Sequence, residues 1–193
     1  MRIEQSRCAW LNDDPLYIAY HDEEWGVPQR DPLALFECLL LEGAQAGLSW
    51  YIILKKREAY RRAFANFDPD KMARFTAKRV NKLVRDASIV RHRGKIEAFV
   101  GNAKAYLAMQ QAGDDFGEWL WGFVDGSPMQ NTRRSMYDVP ASTPLSAKMS
   151  RELKKRGFRF VGATTCYAFM QATGMVNDHL LTCYRYSECR KIR

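Results

Sequence analysis

The sequence predicts an all-α domain. Apolar residues recur at three- and four-residue spacing along most of the chain. Alternating polar and apolar runs bounded by turn residues, the mark of strands, are scarce. Helix-start punctuation repeats: Asp31-Pro32, Asp68-Pro69 and Thr143-Pro144 each set a capping side chain before a proline suited to the first helical position, and Thr76 supplies a fourth cap. At 193 residues, 47% hydrophobic and 27% charged, the chain is long enough for one packed domain and too apolar for disorder.

From the N-terminus, Cys8 to Gly26 is dense in Trp, Tyr and Asp but weakly periodic. It reads as a loop-rich arm that something must pin. Asp31 to Leu41 reads as a helix with Leu35 and Leu39 on its apolar stripe. Glu42 continues that stripe, so its carboxylate needs a partner, must neutralise, or sits exposed at a helix end. Gly43 to Trp50 then breaks the helix with small residues, leaving Leu48 at a tip that could wedge into stacked bases and Trp50 as a pocket floor. The longest pattern, Arg93 to Ala112, sets Ile96, Phe99, Val100, Ala103, Tyr106 and Leu107 on one face and stops at Gly113, as a central scaffold helix would. Asp125 to Pro144 turns polar, carries Arg133-Arg134 and reads as the one long connection, with a possible seam between lobes. A further helix is expected over Ala163 to Thr173. Residues 1–193 are expected to form a single domain, its terminal segments 1–26 and 175–193 held together.

The net charge of +8 and pI near 9.3 favour a polyanionic partner through counterion release from phosphates. No window is apolar enough to span a membrane, and Met1 to Trp10 lacks a signal-peptide core, so cytoplasmic residence is expected. The odd set of cysteines, Cys8, Cys38, Cys166, Cys183 and Cys189, suits metal binding or plain thiols better than disulfides. His179 precedes Cys183 by four residues, one face of a helical turn, and Cys8 and His21 could complete a two-Cys, two-His tetrahedron that clips the chain ends. Cys189 is a rival ligand, and an incidental pair is the plainer alternative. His92, between Arg91 and Arg93, looks phosphate-facing or solvated.

Lys154-Lys155-Arg156-Gly157, followed by Phe160-Val161-Gly162, joins a basic helix end to a glycine-bounded turn and a new helix, a setting in which backbone amides meet a phosphate. It resembles the helix-hairpin-helix element of base-excision glycosylases, with Phe160 where that element has its first glycine. An ordinary helical connection fits the same residues. In that superfamily an aspartate follows the second helix in a Val-Asp-Thr-His-like string; aligned on valine and histidine, its place holds Asn177, and the Schiff-base lysine of lyases falls on Thr164. Both departures argue against a lyase.

Longer strings go further. Cys8-Ala9-Trp10, Asp14 to Pro28, Leu41 to Trp50, Arg91 to Ile96 and Lys154 to Phe158 closely resemble the 3-methyladenine DNA glycosylase I family over nearly the whole chain. The resemblance implies a helix-hairpin-helix glycosylase-like helical fold and excision of 3-methyladenine from alkylated double-stranded DNA by a monomer. It also implies a structural zinc on Cys8, His21, His179 and Cys183, and a base pocket of Glu42, Tyr17, Tyr20 and Trp50, with Glu42 catalytic. Leu48, Lys154, Lys155, Gly157 and Gly162 become the expected DNA contacts. Because 3-methyladenine is already cationic, its glycosidic bond is weak, and recognition can replace strong acid catalysis. Ser88 stands where the family usually has glycine; were that position left-handed, it would be strained. A non-catalytic zinc-stapled nucleic-acid module, or a glycosylase for another damaged base, fits the same residues.

Overall fold

Each expected cap closes a helix in the computed structural model of the chain, which describes residues 6–192. Asp31 accepts from the Ala34 amide at 2.7 Å, Asp68 from Lys71 at 3.1 Å, Thr76 from Arg79 at 3.4 Å and Thr143 from Ser146 at 3.1 Å. These side chains satisfy amides that have no partner within the first helical turn. In chain order the helices are α1 (Pro15–Ala19), α2 (Pro32–Gln45), α3 (Trp50–Ala63), α4 (Pro69–Ala73), α5 (Ala77–Leu83), α6 (Arg93–Gln111), α7 (Phe116–Trp121), α8 (Pro144–Lys155), α9 (Ala163–Ala172) and α10 (Tyr184–Cys189). The all-α expectation is met; among the described residues the one sheet is a two-stranded parallel pair, β1 (Met129–Gln130) and β2 (Val176–Asn177).

Two helices organise the core. α6 packs against α2, α4, α5 and α7 and buries Ile96, Phe99, Val100, Ala103 and Tyr106, with Leu107 half-buried at the edge. α2 lies between α3, α6 and α9 and has Leu35, Phe36, Leu39, Leu40 and Ala44 wholly enclosed. A helix buried on several sides carries apolar residues all round, which is why its sequence shows more than a stripe.

Three local expectations need correction. α2 does not break at Gly43 but runs on to Gln45, because Lys95 of α6 donates to the Ala44 and Ala46 carbonyls at 2.8 and 2.5 Å and caps the helix end from outside. The N-terminal arm is more ordered than a loop: α1 passes into a π-helical turn, Tyr20–Glu24, closed by the Trp25 amide on the Tyr20 carbonyl at 2.9 Å. His179 and Cys183 lie in a non-helical turn ahead of α10, not on a helix. His92 is exposed, as its flanking arginines suggested, and also serves as the N-cap of α6, accepting from the Lys95 amide at 3.2 Å. Ser88 is not among the residues with positive φ; its amide and hydroxyl bond to Asp86, so no strain arises there.

Candidate functional site

The N-terminal arm and the C-terminal segment meet at four side chains that could hold a metal ion. Cys8, His21, His179 and Cys183 are all buried, and one ligand atom from each lies within 4.8 Å of every other. Cys8 Sγ stands 3.6 Å from His179 Nδ1, and Cys183 Sγ stands 3.5 Å from both His179 Nδ1 and His21 Nε2. A tetrahedral zinc with bonds near 2.3 Å to sulfur and 2.05 Å to nitrogen sets S···N edges of about 3.6 Å, so the donor set fits that ion. The outer ring nitrogens are engaged as metal-bound imidazoles require: His21 Nδ1 pairs with Asp22 at 2.7 Å, and His179 Nε2 donates to the Trp25 carbonyl at 3.0 Å. Gly26 is required beside them; its φ is +79°, and a Cβ would come within 2.8 Å of His179 Nε2. Cys189 is buried nearby but outside the four.

Against this cluster the arm stacks its aromatic rings. Trp10 lies 5.0 Å from Tyr17, 5.2 Å from Trp25 and 5.4 Å from His21, and Tyr20 lies 5.3 Å from Trp50 across the gap to α3. These rings wall a cup of about 200 Å³ with Glu42, Gln45, Ala168, Gln171, Asp178, Met136 and Val139. Tyr17, Tyr20, Glu42 and Trp50 are thus brought to one cavity from three segments.

Glu42 and Trp50 give the cup its chemistry. Glu42 is 4% exposed, and both its Oε2 and the Trp50 indole Nε1 are buried with no partner. Burial pushes the Glu42 carboxyl up to about 8. An orphan acceptor and an orphan donor between aromatic faces suit a flat ring that carries its own hydrogen-bonding groups.

Asp178 is the wall residue the sequence reading missed. It is completely enclosed, and its carboxylate accepts from Asn131 (2.7 Å), Arg133 (3.0 Å), Tyr167 (2.5 Å) and Gln171 (2.8 Å). Every lone-pair direction is thereby occupied. Its place beside Asn177 in Val-Asn-Asp-His was the available signal, one position from the residue that was weighed. Asn177 itself is buried outside the cup, donating to Gln130 and the Tyr186 carbonyl at 2.9 and 3.1 Å, and Thr164 is exposed on α9.

A larger cavity of about 250 Å³ shares Tyr20 and Trp50 with the cup. Four of its charged groups pair with one another, Arg57 with Glu24 and Arg61 with Glu37, and Glu42 lines the smaller cup and not this cavity.

Leu48 sits at the α2–α3 tip, 38% exposed. In the basic turn Lys154 and Lys155 are exposed, the latter paired with Glu152 at 2.8 Å, and Gly157 ends α8 at φ +90°. Gly162 serves as N-cap of α9 with φ −64°; the left-handed position is Phe160, at +58°. That strained residue is held from both sides, by Asn102 of α6 bonding the Arg159 amide and carbonyl and by Gly43 of α2 against the Phe160 backbone.

Fold and site together define a class: a helical protein in which a Cys2His2 cluster joins an N-terminal arm to a C-terminal segment, beside a cup of aromatic rings and a buried carboxyl. A model of the methyladenine glycosylase family matches residues 10–186. DNA-3-methyladenine glycosylase 1 of Escherichia coli (strain K12) is 54% identical over 180 residues, covering 93% of this chain and 96% of that protein. Among solved structures, 3-methyladenine DNA glycosylase I superposes with a TM-score of 0.92 at 53% identity, covering 93% and 98% of the two chains. A variant of 3-methyladenine DNA glycosylase I solved in complex with 3-methyladenine gives 0.89 at 40% identity, covering 92% and 96%. This chain belongs to the methyladenine glycosylase family.

Proposed function

We propose that this chain is a monofunctional DNA glycosylase that takes 3-methyladenine, flipped out of alkylated double-stranded DNA, into the cup and cleaves its glycosidic bond. The observation that carries the reading is Glu42, buried with an unpaired oxygen among aromatic rings. A cationic methylated base gives that carboxyl the counter-charge it lacks; its entry draws Glu42 to the ionised form, and Tyr17, Tyr20 and Trp50 enclose the ring. A neutral base provides no such compensation, which makes charge the basis of selection.

Chemistry then needs little help. The bond between the sugar C1′ and the base nitrogen breaks, its electron pair moves into the ring and cancels the positive charge, and water adds to C1′ with loss of a proton. No lysine lines the cup, so no Schiff base forms. A zinc ion on Cys8, His21, His179 and Cys183 would be structural: four protein ligands leave no open position, and it supplies cross-linking alone.

Leu48 is read as the wedge that fills the vacated stack. Lys154, Lys155 and the Gly157–Gly162 turn are read as the helix-hairpin-helix grip on backbone phosphates. Residues 1–193 would act as one domain and as a monomer, in the cytoplasm where its DNA lies. The test is release of free base from methylated duplex DNA, compared across methylated bases. Release of 3-methyladenine ahead of other bases is the expected result. Binding without release would favour a non-catalytic module, and preference for another base would reassign the substrate.

A further inference from the structure

Tyr137 is exposed over 101% of its reference surface, on a turn that is otherwise tightly held. Met136–Asp138 form a single 3-10 turn closed by a capping box between Ser135 and Asp138, and Asp138 accepts the Arg134 and Ser135 amides at 2.9 and 2.8 Å. Arg133 fastens the turn to the cup wall: it donates to the Asp138 carbonyl at 2.9 Å and to Asp178 at 3.0 Å, while its own carbonyl accepts from the Leu181 amide at 2.8 Å. Asn131 adds a bond to Asp178 at 2.7 Å. Folding does not explain an aromatic ring aimed wholly into water from so rigid a support, because the ring gains no burial there.

Its neighbours say what covers it. Met136 and Val139 wall the same cup as Glu42 and Trp50, so a strand that delivers a base into the cup passes this lip. Met129 and Leu181, both more than 40% exposed, extend the apolar rim through β1 and the bond from Leu181 to Arg133. Arg134, three residues before Tyr137 and bonded through its amide to Asp138 of the same turn, is exposed. An aromatic ring and an arginine on one turn are suited to stack a nucleobase while neutralising a nearby phosphate, and the chain's +8 charge attracts such a partner.

We infer that Tyr137 is a second DNA contact, carried on a different segment from Leu48: its ring packs on a base of the duplex beside the extruded nucleotide, with Arg134 on the adjacent phosphate. The position of that nucleotide rests on the proposed excision; the contact with duplex is measured without it. The experiment compares the parent with Tyr137→Ala, Tyr137→Phe and Tyr137→Trp. It follows affinity for undamaged duplex, kcat/KM for release from methylated duplex, and Kd for free 3-methyladenine. Tyr137→Ala is expected to weaken duplex binding and lower kcat/KM by roughly tenfold. Tyr137→Phe keeps both, the free-base Kd is unchanged in all, and the added emission of Tyr137→Trp is quenched by duplex. Duplex affinity of Tyr137→Ala equal to the parent's, or tryptophan emission indifferent to duplex, overturns the inference. So does a free-base Kd that weakens in step with duplex binding, since the turn would then be only a wall of the cup. A parent that releases no base sinks the proposed excision, while duplex affinity and quenching still decide the Tyr137 contact.

Discussion

Glu42 holds its proton later than a solvated glutamate because burial penalises the charged form, and this has two measurable consequences. Its folded value of about 8 lies above the ordinary value of 4.5, so the folded chain keeps a proton that the unfolded chain releases between those limits. The stability linked to that proton is present in full below about 4.5 and is lost as pH rises through about 8. Unfolding free energies of the parent and Glu42→Gln should therefore diverge across this window, with the variant the more stable of the two at high pH. The same substitution should lower release of 3-methyladenine by on the order of a hundredfold or more with an unchanged circular dichroism spectrum; near-parent release would remove Glu42 from the chemistry. Asn177 illustrates the opposite case. Both hydrogens of its amide serve oxygen acceptors, Gln130 Oε1 and the Tyr186 carbonyl, so Asn177→Asp sets a carboxylate against them. The expected outcome is a loss of about 1–3 kcal/mol in denaturant unfolding and no gain in base release. A rise in release would show that the missing aspartate limits the enzyme.

At the scale of elements, the cup depends on where α2 ends. The helix carries Glu42 in its last turn, and the tip that follows presents Leu48; Lys95, buried in α6, fixes both by holding the Ala44 and Ala46 carbonyls. Lys95→Met should cost about 2 kcal/mol, since it leaves carbonyls at the helix end without a donor. It should also impair release from duplex DNA more than binding of free base, because the tip loosens before the cup does. Equal losses in the two assays would contradict this division. The caps of α2, α4, α5 and α8 were legible from single residues because a cap is a local hydrogen bond. The end of α2 was not, since its cap comes from a residue far along the chain. The turn carrying His179 and Cys183 escaped for a related reason: i and i+4 spacing is shared by helices and tight turns, and only the neighbouring backbone distinguishes them.

Over the whole molecule, apolar burial separates into a large cluster built around α2 and α6 and a small one of Cys8, Leu180 and Cys183 flanked by Trp10, Trp25 and Tyr184. The small cluster holds the arm, and the arm supplies Trp10, Tyr17, Tyr20 and Trp25 to the wall of the cup. Chelation of a metal from the four ligands should therefore abolish binding of 3-methyladenine while most helical circular dichroism persists. The midpoint of thermal unfolding should fall by roughly 10 °C, the equivalent of several kcal/mol for a chain of this size. Full retention of base affinity in the metal-free protein would show that packing alone positions the arm.

The sequence by itself determined the helical class, four helix starts, the scaffold helix, the family, and the expectation that Tyr17, Tyr20, Glu42 and Trp50 share one place and Cys8, His21, His179 and Cys183 another. Each of these is written in local spacing, or in strings long enough to mark a family. Only the tertiary structure decided that Glu42 has an unpaired oxygen, that Asp178 is saturated by four donors, that Asn177 faces away from the cup, and that Tyr137 stands bare on a rigid lip. Burial and hydrogen-bond satisfaction are sums over neighbours brought in from distant parts of the chain, and no window of sequence contains them.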